Sequence, residues 1–353
     1  GEVILHLKHT LMKIKIFTLL LGAGLFIASS CTRTQTVTSP EVVQKTDISW
    51  FLGQWTIDIE GGSVGWLEVR QEDGWLDGDI LWGGGSVLPV SNIFLAGDRV
   101  LFVQRSNNVV RKRDENREPL KAQTVTSWLE IVKEGDKISG ILLSPRRNSL
   151  SVDTTTFSGE KLPQVPQAPD LTSLKFGDPV QLFNGKDLTG WRLINEKQVN
   201  GFKVVDGVLV TDPVQKEGEP HVSYGNLRTD KEFEDFNLKL EVNIPAGSNS
   251  GVYLRGMYEV QVVDSYKKDL DPHNMGAVYS RITPSVAAEK PAGEWQTLDI
   301  TLCQRHATVI LNGVKIIDNQ PIYGPTGGAV RAGRRAAARS VLRGSRAVDG
   351  PSG

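Results

Sequence analysis

Only two cysteines, Cys31 and Cys303, occur in 353 residues, so at most one disulfide could form and stability has to come from packed sheets. An excess of charge of either sign is missing as well. The formal net charge is −1, which gives no reason to expect nucleic acid as a partner. Long runs of helix-forming residues are scarce, while thirty-six glycines and seventeen prolines favour strands joined by turns over a helical bundle. The five histidines show no tight ligand spacing such as His-x-x-x-His. Carboxylates with one or two histidines could still hold a divalent metal, so the metal question stays open. What is present is a hydrophobic content of 39%, enough for buried cores, in a chain long enough for two domains plus extras.

The N-terminus carries an address. Met12-Lys13-Ile14-Lys15, the apolar run Ile16 to Ile27 and then Ala28-Ser29-Ser30-Cys31 supply the basic, apolar and small-residue parts of a secretory signal. The apolar run is short for a bilayer span. Small residues ending directly on a cysteine resemble a bacterial lipoprotein signal, which implies cleavage before Cys31, lipid on its sulfur and a place in the cell envelope, periplasmic or outer-membrane. A plain signal peptide or a membrane anchor helix is the alternative. A start at Met12 would leave residues 1–11 as upstream sequence, with no functional weight on His6 or His9. With Cys31 lipidated, Cys303 has no partner and reads as a small buried apolar residue, His306 being the one histidine near it in sequence.

Residues 32–46, polar and rich in Thr and Gln, read as a tether. From 47 to 161 short strand patterns recur, among them Gly65-Trp66-Leu67-Glu68-Val69 and Gly78-Asp79-Ile80-Leu81-Trp82, parted by turns such as Glu72-Asp73-Gly74. This spacing predicts a small antiparallel β-barrel or curled sheet. Its tryptophans either fill a core or stack on sugar rings, and no site is assigned there. The Pro-rich stretch 162–175 is a linker. In the second domain, 176–328, Leu238, Leu240, Val242 and Ile244 alternate with polar residues up to Pro245-Ala246-Gly247. Asn312-Gly313 is a strong hairpin turn. Many antiparallel strands without a helical repeat predict an all-β, two-sheet sandwich. Residues 329–353 form an anomalous tail with six arginines, no lysine and the single acid Asp349. Such a basic tail could meet anionic lipid or nucleic acid. A frameshift is the simpler cause, and it would cost the second domain a closing strand and leave a sheet edge open.

The most informative stretch is Asn249 to Ser265, NSGVYLRGMYEVQVVDS. Val260 and Val262 alternate with Glu259 and Gln261, which sends the valines to one face of a sheet and the carboxylate and amide to the other. Tyr253 and Arg255 repeat the arrangement upstream, with Gly256 at the natural turn. Arg255, Glu259 and Gln261 are therefore expected on one side of paired strands. A solvated sheet face explains such a pattern equally well.

Asn249-Ser250-Gly251, Leu254-Arg255, Tyr258-Glu259-Val260-Gln261 and Asp264 resemble the signature of the 3-keto-disaccharide hydrolase family. Phe183-Asn184-Gly185-Lys186-Asp187-Leu188-Thr189-Gly190-Trp191 is similar to that family's opening motif, and Gly276-Ala277-Val278-Tyr279, Gly293-Glu294-Trp295 and Leu311-Asn312-Gly313 follow in the family's order. The resemblance implies a concanavalin A-like jelly roll whose concave sheet holds carbohydrate. It also implies cleavage of glycosides already oxidised to a ketone at C3, so that a sugar 3-dehydrogenase acts upstream. Glu259 is the first candidate for base or acid, Asp264 the second, and Arg255 a stabiliser of the enolate. Gln261, Tyr253, Asn249, His221, His273 and Tyr279 are candidates for holding the sugar or assisting proton transfer. Their reach depends on strand parity: Glu259 and Asp264, five apart, share a site only if a bulge intervenes or the strand ends first. The E-x-Q-x-x-D run also resembles the carboxylate strand of jelly-roll β-glucanases, with an amide where the central acid stands. A non-catalytic carbohydrate-binding lipoprotein and a conventional glycosidase are the alternatives.

Overall fold

The computed structural model describes residues 47–97, 99–110, 122–146, 149–211, 213–329, 341–343 and 346–348, with 107–110, 122–123, 341–343 and 346–348 described by their backbone alone. The signal-like segment, Cys31, the expected tether and the charged loop after residue 110 lie outside the described residues. The all-β expectation holds: among the described residues the only helical turn is a short one at Leu171–Ser173.

The first half of the described chain is one antiparallel sheet of nine strands. Its strands are β1 (Gly53–Ile59), β2 (Val64–Gln71), β3 (Leu76–Leu81), β4 (Leu88–Pro89), β5 (Asn92–Ala96), β6 (Val100–Val110), β7 (Ala122–Glu134), β8 (Lys137–Pro145) and β9 (Val152–Lys161). Consecutive strands pair except β4 and β5, which stand at the two ends of the sheet, and the two runs β1–β4 and β5–β9 are joined where β1 pairs with β9, Ile57 opposite Gly159. The sheet curls enough to bring β5 back against β3. Period-two alternation buries Trp55, Ile57, Leu67, Val69, Ile80, Leu129 and Ile131 on the inner face. Trp55 is a core residue whose indole N–H donates to Phe51 O at 2.9 Å.

The second half builds two sheets. Their strands are β10 (Trp191–Leu193), β11 (Phe202–Val205), β12 (Val208–Thr211), β13 (Leu227–Thr229), β14 (Phe236–Asn243), β15 (Asn249–Leu254), β16 (Tyr258–Val263), β17 (Gln296–Cys303), β18 (His306–Leu311), β19 (Val314–Pro321), β20 (Val341–Arg343) and β21 (Arg346–Val348). One sheet runs β10-β13-β20-β15-β16 and the other β11-β12-β21-β14-β17-β18-β19. Val252, Leu254, Val260 and Val262 of the first meet Leu240, Val242, Leu298, Ile300 and Val309 of the second in one core, which makes this a sandwich. Each such side chain contributes roughly 1.5–3 kcal/mol on burial, so a core of this extent holds two sheets together without a cross-link. The β18–β19 hairpin turns on Asn312 and Gly313, both at positive φ (52° and 82°), the primed-turn geometry that the Asn-Gly pair favours.

The Arg-rich tail differs from the expectation of an open edge. The backbone of β20 lies between β13 and β15, with Leu342 opposite both Leu227 and Val252. That of β21 lies between β12 and β14, with Ala347 opposite Leu209 and Val242. Strand pairing uses main-chain N–H and C=O groups that every non-proline residue carries, so an unusual composition does not prevent it.

Cys303 is buried, its Sγ 3.6 Å from Asp235 Oδ2. Burial, then the neighbouring Asp235 charge, pushes its thiol up, which favours the unreactive protonated form.

Candidate functional site

The polar face of β15 and β16 is where the sequence placed its chemistry. Antiparallel register sets Tyr253 opposite Glu259 and Gly251 opposite Gln261, while Val252 and Val260 turn into the sandwich core. The face is not open. Tyr253, Glu259 and Gln261 are each at most 4% exposed. Two later segments cover it. Along β16, Gln261 N donates to Ala277 O, Gly276 N to Gln261 O and Tyr279 N to Glu259 O, a short stretch of extra pairing. Across the end of the strands lies the strip Gly324–Ala329, where Thr326 Oγ1 accepts the Glu259 N–H at 2.8 Å and Thr326 N donates to Met257 O.

At the centre of this buried patch the Tyr253 hydroxyl lies 2.6 Å from Glu259 Oε2 and also contacts Gly327 O. One hydroxyl hydrogen cannot serve both acceptors. It goes to Glu259 when the carboxylate is ionised; when Glu259 carries a proton, the carboxyl donates to Tyr253 and Tyr253 to Gly327. Either protonation state is thus hydrogen-bonded, which suits a group that must take up and give back a proton.

The other expected residues spread around this pair. Arg255 sits half-buried at the tip of the β15–β16 hairpin, in left-handed backbone (φ 55°) followed by Gly256 (φ 68°). Asp264 lies just past the end of β16, and its Oδ2 accepts the Gly247 N–H at 2.9 Å, so it caps the Pro245–Ser248 turn. Asn249, at the start of β15, and His221, in a loop, are exposed. His273 stands edge-on to Tyr279, ring centroids 4.9 Å apart, and its ring nitrogens contact Asp271 and Ser86. Among the described residues no group of three or more His, Cys, Asp or Glu side chains is arranged to hold a metal ion.

A second concentration of polar groups, which the sequence reading did not assign, lies where β2 and β3 of the nine-stranded sheet meet the sandwich. A cleft of about 290 Å³ there is lined by Trp66, Glu68, Asp79, Ser280, Arg281 and Tyr323, among others. The Arg281 guanidinium stacks on Trp66, 4.1 Å from the ring centroid, and its Nε and Nη2 donate to Pro325 O at 3.1 and 2.7 Å. Burial pushes this guanidinium down to about 10, against the pull of Glu68 and Asp79. Those two carboxylates, paired across β2 and β3, share Arg70 Nη1 at 2.6 and 2.7 Å. Trp66 and Arg281 are far apart in sequence and belong to no common motif, so nothing in the linear pattern joined them.

The opening motif at 183–191 proves to be a loop lock. Asn184 Oδ1 accepts the N–H groups of Lys186 and Asp187, Asp187 Oδ1 accepts from Thr189 N at 2.9 Å, and Trp191, buried, donates its indole N–H to Leu182 O at 2.6 Å. Trp191 is therefore a core residue.

Residues 178–343 match the family model of the 3-keto-alpha-glucoside-1,2-lyase-like domain. The matched region takes in Tyr253, Glu259, Gln261, His273 and Arg281, together with the covering strip and β20. Three solved structures from Parabacteroides distasonis, each named a "putative glycosyl hydrolase", are similar to this chain. The first is 24% identical, covers 47% of this chain and 88% of its own, and has a TM-score of 0.37. The second is 24% identical over 53% of this chain and 96% of its own, TM-score 0.38. The third is 23% identical over 44% of this chain and 94% of its own, TM-score 0.31. No curated protein matches the chain.

Proposed function

We propose that the chain cleaves glycosidic bonds of sugars bearing a ketone at C3. The observation that carries this reading is the buried Tyr253–Glu259 pair inside the region that matches the lyase-like family. At the coarser level, the family match supports a glycoside-hydrolase-like activity. The 3-keto preference is the finer step.

A ketone at C3 acidifies the C2–H. A base removes that proton, the resulting enolate expels the C1 oxygen, and an acid protonates the departing oxygen; water then adds to the unsaturated sugar. Glu259 is suited to carry the proton because Tyr253 hydrogen-bonds it in both protonation states. Arg255 stabilises negative charge on the enolate oxygen and Gln261 binds hydroxyls in this scheme. Glu259 is covered by the Gly324–Ala329 strip, so the reading requires the strip to move aside when a sugar enters. Three of its residues, Gly324, Gly327 and Gly328, are glycines, and glycine tolerates large backbone changes.

The substrate has to be supplied by an enzyme that oxidises the C3 hydroxyl of a glycoside. A lipid on Cys31 would hold the chain at the cell envelope, where such glycosides are met.

The decisive experiment incubates the protein with a 3-keto-disaccharide and with its unoxidised parent and follows the released sugar. Turnover of the keto form alone supports the proposal. Binding without turnover favours a carbohydrate-binding protein, and cleavage of the parent favours a conventional glycosidase. Glu259→Gln should abolish turnover with the fold intact, and near-normal rates in that variant remove Glu259 from the chemistry.

A further inference from the structure

The contact that links the nine-stranded sheet to the sandwich most specifically is a hydrogen bond between Ser86 Oγ and His273 Nε2, 2.7 Å long and spanning 187 residues of sequence. The other ring nitrogen of His273, Nδ1, contacts Asp271 Oδ1, and the same oxygen accepts the His273 backbone N–H at 2.8 Å. An ionised carboxylate only accepts, so Nδ1 carries the hydrogen in this pairing. Nε2 of the neutral ring is then the acceptor, and the serine hydroxyl donates to it. Hydrogen bonds to His273 hold Asp271 below the usual carboxylate range, which keeps it an acceptor.

The loops that present these groups are tied together. Val87 N donates to Ser280 Oγ at 2.8 Å, and Ser280 N donates to Pro272 O at 2.9 Å. Tyr279 packs edge-on against the imidazole. Ser86 and His273 are both partly exposed. Ser86 follows Gly83-Gly84-Gly85, and the backbone N–H groups of Gly84, Gly85 and Ser86 make no hydrogen bond to any described residue.

We propose that Ser86, His273 and Asp271 form a second, nucleophilic site that hydrolyses carboxylic esters. The arrangement is nucleophile to base to orienting carboxylate, recognised by geometry and not by order in the chain. Ser86 Oγ bonds to the ester carbonyl carbon while Nε2 of His273 takes the hydroxyl proton. The tetrahedral adduct collapses with cleavage of the acyl C–O bond, and His273 returns the proton to the departing alkoxide. Water, deprotonated by the same nitrogen, then cleaves the acyl-serine, releasing the carboxylic acid and restoring Ser86. Asp271 holds the ring in the required tautomer and stabilises the imidazolium. No step passes through Glu259, so this site stands or falls apart from the glycosidic reading.

The test treats the full chain with a fluorophosphonate probe and, separately, with p-nitrophenyl acetate. The proposal expects covalent labelling at Ser86, located by peptide mass spectrometry, and loss of label in Ser86→Ala. His273→Gln should slow both labelling and ester hydrolysis by about a hundredfold or more. Asp271→Asn should slow hydrolysis at least about tenfold and move the pH–rate profile, an effect that a purely structural role would not give. Circular dichroism confirms that each variant is folded. Folded wild-type protein that takes no label, or a Ser86→Ala variant labelled as fast as wild type, overturns the proposal.

Discussion

The Glu259 carboxylate occupies the space in front of Gly251: a methyl group on residue 251 would stand 2.1 Å from Glu259 Oε1 and 2.8 Å from Cδ. The glycine is thus the seat of the acid, and its lack of a side chain is what allows Glu259 to lie flat across the strand to Tyr253.

Gly251→Ala should push the carboxylate away from the Tyr253 hydroxyl. We expect a stability loss of about 1–3 kcal/mol from overpacking, read from denaturant midpoints. Turnover of a 3-keto-disaccharide should fall at least about tenfold, by the loss of a positioned proton carrier. Wild-type turnover in Gly251→Ala would show that the seat is irrelevant to the chemistry.

Tyr253→Phe removes the hydroxyl between Glu259 and Gly327 without changing the ring. Buried oxygens then lose a donor, at a cost of about 1–3 kcal/mol, measurable by chemical denaturation. The pH–rate profile for the keto-disaccharide should also shift, because the Tyr253 hydroxyl donates to the ionised carboxylate and accepts from the protonated carboxyl, and these two hydrogen bonds differ in strength. An unchanged profile would leave Tyr253 with a structural role only.

Arg281→Met should loosen the junction between the sheets. It removes the stack on Trp66, roughly 0.5–2 kcal/mol, and the two N–H donors to Pro325 O. Arg281→Lys should recover little, since an ammonium cannot stack on the indole and present two planar donors at once. Faster hydrogen exchange of the Thr326 and Gly328 amides in both variants is the expected readout; exchange at the wild-type rate would show that the strip is held without Arg281.

Asp187 gives a pH signature for the opening loop. Hydrogen bonds from Thr189 and Asn184 lower its carboxyl from 3.8 to about 2. A carboxyl lowered on folding contributes stability that is fully present above its ordinary value and is lost as pH falls through the folded one. The loop should therefore weaken between about pH 4 and pH 2. Carboxyl-carbon NMR should find the Asp187 midpoint near the lower end, and Asp187→Ala should remove this acid limb.

Much of the fold is legible in the chain because alternation is local. Leu238 to Ile244 reads as a strand from its own side chains, and Asn312-Gly313 names its own turn, since both depend on neighbours within a few residues. The pairing of Tyr253 with Glu259 is likewise written in the short hairpin around Arg255 and Gly256. The pairing of the two short segments near the end of the chain was not legible, for the complementary reason. Their composition is unlike that of the other strands, but β20 and β21 pair through backbone groups on which composition has little bearing.

By itself the sequence determined an all-β chain of a meander followed by a sandwich, and it set Glu259 and Gln261 on the face opposite Val260 and Val262, because side-chain parity in a strand is fixed by the backbone. It left open whether that face meets water. Tertiary structure decided that, laying Gly324–Ala329 across Glu259, stacking Arg281 on Trp66 and bringing Ser86 to His273. These contacts join segments far apart in the chain, and no local periodicity records them; they exist only once the packing of two separate cores has fixed where each loop ends.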